Sequence, residues 1–300
     1  MAARSISEPP TDRTRRSPWR RPAVACLALA IFAFPAFANP GTENWSKPPR
    51  PSRGAAQIFG GPASGCIAGA VPLAPDGVGY QAIRVSRNRH WAHPLTVRYM
   101  TELGARLERA GLPPVYVGDM SQPRGGPMAF GHSSHQTGLD IDIWFNLLPK
   151  PRLDPKDRET PQLPSLVTAD QDAIDESVFD RRHIDLLRMA AEGKRVDRIF
   201  VHWQIKKRLC DVATGDRRWL SKIRPWYGHK EHFHVRLSCP DDSPDCVPQA
   251  PVPGGDGCGE ELDWWLTVAA EKVRGRVPSE RSEPLQPKLP AQCAKVYRSP

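Results

Sequence analysis

The sequence predicts an α+β domain: a small, largely antiparallel sheet with flanking helices and long disulfide-tied loops. Three observations predict it. Short alternating strand segments are interspersed with amphipathic helical ones, Pro/Gly-rich connections separate them, and the cysteine count is even behind an export-like N-terminus.

The first 38 residues fall outside this domain. Six arginines lie between Arg4 and Arg21, followed by an apolar run from Ala23 to Phe37. That run is shorter than the roughly 20 residues of a membrane span. It closes on Ala36-Phe37-Ala38, a small-x-small pattern that suits cleavage before Asn39. The expectation is therefore a signal peptide over 1–38 and a periplasmic mature protein without stable membrane insertion; an uncleaved anchoring helix is the competing reading. Residues 39–56, rich in proline and polar groups, read as an extended lead-in, and 57–300 as a single domain.

Within the domain, His93-Pro94 opens a helix in which Leu95, Tyr99, Met100, Leu103 and Leu107 share a face, with Gly111 at its end. Val115–Val117 reads as a strand, followed by a Gly/Pro loop through Gly126. From Leu139 to Phe145 the chain alternates, with Asp140, Asp142 and Trp144 opposite an apolar face. Residues 149–173 read as a long surface loop, 177–192 as a helix and Val196–Val201 as a strand. In the strand His232–Leu237, His232, His234 and Arg236 share one face. A Pro/Gly loop, a short helix bearing Trp264 and Trp265 and a proline-rich tail complete the chain.

Removing the signal takes away six arginines and two acids, so the formal charge of +9 falls to about +5. This excess suits an anionic wall polymer. Without a basic stripe interleaved with aromatics, it argues against nucleic acid. Cys66, Cys210, Cys239, Cys246, Cys258 and Cys293 remain. In an oxidising compartment they read as three disulfides, because no CxxC spacing supports a cysteine-zinc site. Which pairs with which stays open, although a small loop from Cys239 to Cys246 is easily closed. The oligomeric state stays open too, a dimer included.

Five of the nine histidines fall in two clusters, one over Gly131–Asp142 and one over His229–His234. Catalytic zinc takes three protein ligands and keeps a position for water. His232 and His234 point the same way from their strand, Asp142 projects from the polar face of its own, and His135 precedes it in a glycine-flanked loop. Asp140 shares that face and is the rival ligand, since alternation alone cannot separate the two. Lone histidines more often serve the core, and His90, His183 and His202 are read so.

These strings resemble the penicillin-insensitive murein endopeptidases, within the zinc peptidases that include lysostaphin-type and D-alanyl-D-alanine-cleaving enzymes. His135 and Asp142 have the His-x6-Asp spacing of that group, and His232-Phe233-His234 supplies its His-x-His. The stretches Gly131–Asp140 and Arg224-Pro225-Trp226 leading to His229 resemble the endopeptidase branch in particular, and the likeness runs from about Cys66 to Cys293. The resemblance implies one zinc on His135, Asp142 and His234, with His132 a candidate additional ligand. It also implies pairing of Cys66 with Cys293, Cys210 with Cys258, and Cys239 with Cys246. A second zinc has little support, because the stretch between the clusters offers Asp170 but no histidine near it. The implied substrate is the D-alanyl–meso-diaminopimelyl cross-link of peptidoglycan.

His232, beside the ligand position, is the first candidate general base. His229 is the second, or a cationic partner for an oxyanion. Glu231 is the third, on the opposite face by alternation. Arg124 and Arg236 are candidate anchors for substrate carboxylates. The rival functions are a D,D-carboxypeptidase and a non-catalytic wall-binding module with structural zinc.

Overall fold

The computed structural model describes residues 44–275 and 288–300. The signal-peptide expectation lies outside the described residues, and among them no helix is long and apolar enough to cross a membrane. A hairpin of β1 (Gln57–Gly61) and β2 (Ser64–Ala68) comes first, and β3 (Val71–Pro72) pairs with β6 (Trp91–Ala92). The main sheet holds β4 (Asp76–Gly77), β5 (Tyr80–Ala82), β7 (Val115–Val117), β8 (Asp140–Trp144), β9 (Val196–Val201), β10 (Ile223–Pro225) and β11 (His232–Leu237). Its order is β10-β9-β11-β8-β7-β5-β4, antiparallel except for β10 with β9 and β5 with β7. The mixed, largely antiparallel sheet agrees with the expected class.

Helix α1 (Pro94–Arg109) forms because Pro94 fits the first helical position, where its missing N–H is no loss, and the His93 side chain accepts from the Leu95 N–H at 3.2 Å. It buries Tyr99, Met100, Leu103 and Leu107 against the sheet. Each such side chain contributes about 1.5–3 kcal/mol of hydrophobic stabilisation. Helix α2 (Arg181–Ala191) starts later than its apolar pattern predicts. Asp180 caps it, and His183 returns a contact to the Asp180 backbone, which closes a capping box and sets the start there. In α3 (Trp203–Val212) the cap is His202, which accepts from the Gln204 N–H.

Trp264 and Trp265 lie in a helical stretch of α4 (Glu260–Trp264), a π-turn and α5 (Ala270–Val273). The expected proline-rich tail instead ends in a helix, α6 (Ala291–Arg298), whose Cys293 is bonded to Cys66. The other disulfides join Cys210 to Cys258 and Cys239 to Cys246. Trp45, from the lead-in, is buried in a small core with Cys66, Cys293 and Val296. The β1–β2 hairpin was not legible as strands, because Gly60, Gly61 and Gly65 interrupt its apolar pattern.

Candidate metal centre

Strands β8 and β11 pair so that His234 lies opposite Asp142, Arg236 opposite Asp140, and His232 opposite Trp144. The alternation that carries Ile141 and Ile143 into the core turns these polar side chains to the other face. That face is covered as well: Asp140, Asp142, His234 and His135 are all buried. The cover is the loop from Asp119 to Thr137. Two glycines let it close, since a Cβ on Gly125 would strike the Gln136 carbonyl and one on Gly126 the Trp45 ring. His135 itself adopts a left-handed backbone (φ 64°), uncommon for a non-glycine residue. Asp140 steadies it by accepting the His135 N–H at 2.9 Å.

The two aspartates of β8 differ sharply in their partners. Asp140 accepts from Arg236 (2.6 and 3.3 Å), from the His135 backbone and from His234 Nε2 (2.8 Å). Asp142 Oδ1 is buried without a hydrogen bond, and so is His135 Nε2, 3.3 Å away. His234 Nδ1 lies 3.6 Å from the same oxygen and His232 Nε2 3.8 Å; His132 Nε2 is 3.6 Å from Oδ2. The ligand-capable atoms of His132, His135 and Asp142 lie within 4.8 Å of one another.

Two of these rings are oriented from behind. His135 donates through Nδ1 to the Met120 carbonyl at 2.6 Å, and His234 through Nε2 to Asp140. Each then aims its other nitrogen at Asp142. A carbonyl or carboxylate behind the imidazole is the usual second layer of a metal site. An unbonded carboxylate oxygen beside an unbonded imidazole nitrogen, with a second imidazole facing the same oxygen, is a donor set that fits a cation. Charge agrees with this. Asp142 is held well below the usual carboxylate range: burial works against its charge, but His135 and His232 outweigh it. Burial pushes His135 toward neutrality, and Asp142 more than reverses this, raising it to about 9. The anionic oxygen thus draws one positive charge to its side, a proton or a metal ion.

His229 also has a left-handed backbone (φ 56°) and donates through Nδ1 to the Tyr227 carbonyl at 2.7 Å. Burial, reinforced by His232 and His234, lowers it to about 3. That direction favours the neutral ring, with its Nε2 lone pair free. His232 is lowered chiefly by burial and is also neutral; its ring packs 4.8 Å from that of Trp144. Glu231 lies outside β11, its carboxylate 3.7 Å from Lys230 Nζ.

Other sequence candidates are engaged elsewhere. Arg124 donates to the carbonyls of Arg50, Val296 and Tyr297, clamping the two ends of the described domain. Arg236 is held by Asp140 and Gln249. Asp170 is exposed and accepts from Thr168 and the Asp172 backbone within its own turn. The residue that sequence reasoning missed is Asp119. Its Oδ2 accepts from Arg89 (3.0 Å), Arg87 (3.3 Å) and His132 (3.1 Å). A lone acid just past the Val115–Val117 strand was the available signal.

A family model described as penicillin-insensitive murein endopeptidase matches residues 58–298. The chain belongs to this peptidase family. Curated relatives agree: a penicillin-insensitive murein endopeptidase of Haemophilus influenzae is 42% identical over 279 residues, covering 91% of this chain and 94% of the relative. Proteins with the same description from Yersinia enterocolitica and Klebsiella pneumoniae are each 40% identical over 90% of this chain.

Proposed function

We propose that the chain is a zinc-dependent murein endopeptidase that hydrolyses the D-alanyl–meso-diaminopimelyl cross-links of peptidoglycan, acting in the periplasm after removal of residues 1–38, with residues 57–300 as its single peptidase domain. The observation that carries this reading is the bare, buried pair of His135 Nε2 and Asp142 Oδ1, with His234 Nδ1 3.6 Å from the same oxygen, in a chain of a peptidase family. His135 Nε2, Asp142 and His234 Nδ1 would hold the ion, with His132 a further donor on the open side. When bound, zinc supplies Lewis-acid polarisation of a carbonyl and acidifies water.

The remaining chemistry belongs to the chain's own residues. Asp140 and the Met120 carbonyl fix which nitrogen His234 and His135 present. His232, neutral near pH 7, takes the proton of the attacking water at Nε2 and returns it to the departing amine. His229 Nε2 is the alternative acceptor. No serine nucleophile takes part, in keeping with insensitivity to penicillin.

The test is incubation of the mature protein with purified cross-linked muropeptide dimers, read by mass spectrometry. Dimers should become monomers with zinc present, and conversion should stop with chelator and in His234→Ala. Intact dimers from folded, zinc-loaded protein would favour a wall-binding module, and loss of a terminal alanine alone would favour a D,D-carboxypeptidase.

A further inference from the structure

Arg124 and Arg236 both bind groups within the protein, so neither is available to an anionic substrate. We propose that Arg84 is the substrate anchor, binding the carboxylate on the carbon that bears the scissile amide nitrogen. This rests on the endopeptidase reading above.

Three observations carry it. Arg84 has a left-handed backbone (φ 53°, ψ 39°) fixed from both sides: its N–H donates to the Arg158 carbonyl at 2.8 Å, and its own carbonyl accepts from Arg87 at 3.1 Å. Non-glycine residues rarely adopt this conformation, and where they do the surroundings hold them there. Next, its half-buried guanidinium lies over the Trp144 ring, 5.0 Å from the centroid, and the other neighbour of that ring is His232 at 4.8 Å. Trp144 shares the face of β8 with Asp142, so the stack leads from the candidate base to the arginine along one wall of the centre.

The third observation is the missing partner. Among the described residues, the Arg84 side chain makes no hydrogen bond and no ion pair. Its neighbours around the centre are all engaged: Arg87 and Arg89 with Asp119, Arg236 with Asp140, and Arg198 with Asp197. Stacking occupies the face of a guanidinium and leaves its N–H edge free, the edge that takes a carboxylate in a two-pronged grip. Asp119, Glu159 and Asp142 act on this partly buried cation only from a distance, and none of them makes a direct ion pair with it. A carboxylate from the substrate supplies that direct partner.

The experiment compares two synthetic cross-linked dimers, one with a free carboxylate beside the scissile nitrogen and one with the same group amidated. Each is cleaved by zinc-loaded full-length mature wild type, Arg84→Gln and Arg84→Lys. A charge-assisted contact of this kind corresponds to about 10- to 100-fold in kcat/KM. Amidation should cost the wild type about that much, mainly in KM, and should cost Arg84→Gln less than about threefold. Arg84→Lys, which keeps the charge but loses the fork, should fall between them. Equal amidation penalties in all three enzymes overturn the assignment, and Arg84→Lys decides the matter alone if Arg84→Gln fails to fold. Should the wild type cleave neither dimer, the endopeptidase reading itself falls. Cleavage with equal penalties removes only the role of Arg84.

Discussion

The two halves of the β8 polar face lie one pleat apart and solve opposite problems. At the Asp140 end, a buried carboxylate meets one guanidinium, one backbone N–H and one imidazole, and its demand for donors is met. At the Asp142 end, an equally buried carboxylate oxygen accepts no hydrogen bond and faces two imidazole nitrogens at 3.3 and 3.6 Å. Position along a strand therefore does not distinguish the two acids; the inventory of donors around each does.

The largest effect should come from Asp142→Ala. Loss of cleavage by about a thousandfold or more, together with loss of bound metal on elemental analysis, should leave a folded protein. If bound zinc survives this change, the contrast between the two ends fails. Asp140→Asn should behave differently. It strands the buried Arg236 charge, which costs about 3–5 kcal/mol of stability in denaturant titration. It also loosens His234, lowering metal affinity by about 10- to 100-fold. A metal-free protein as stable as wild type would place the two acids in the wrong order.

A smaller change tests the rim. His132 bridges Asp119 and the second oxygen of Asp142. If it only supports the ligands, His132→Ala should lower zinc affinity by about 10-fold, at the low end of second-layer effects. A loss matching that of Asp142→Ala would make it a full ligand.

The mildest prediction sharpens the contrast from outside the site. Asp140 is a buried charge matched by another charge. Lys206 is a buried ammonium whose hydrogen bonds go to the carbonyls of Leu220 and Asp256. Burial, helped by nearby Arg224, lowers Lys206 from 10.5 to about 7. Between those two values the unfolded chain holds a proton that the folded chain has released, so this group makes stability rise with pH from about 7 toward 10.5. The wild type should gain Tm relative to Lys206→Met across that window; a constant difference would refute the shift.

Much of this was legible in the sequence because the decisive signals are local. Alternation in Leu139–Phe145 and His232–Leu237 located both site strands, and the Pro94 and Gly111 punctuation bounded α1. What escaped depends on contacts distant in sequence. Nothing near Arg124 indicates that residues some 170 positions later supply its acceptors. Nothing near Asp119 indicates that Arg89 and His132 converge on it. The start of α2 was misjudged because a four-residue capping box outweighed a continuous apolar pattern. The different surroundings of Asp140 and Asp142 depend on the register that sets Arg236 opposite one and His234 opposite the other.

The bond between Cys66 and Cys293 spans 227 positions and so encloses both site strands and every candidate ligand in one covalent ring. A protease that nicks an exposed loop, such as the turn around Asp170, opens the ring without dividing it. The two resulting pieces stay joined, and β8 and β11 stay within reach of each other. Damage at the surface is thereby uncoupled from loss of the centre, until a reductant reaches that single bond.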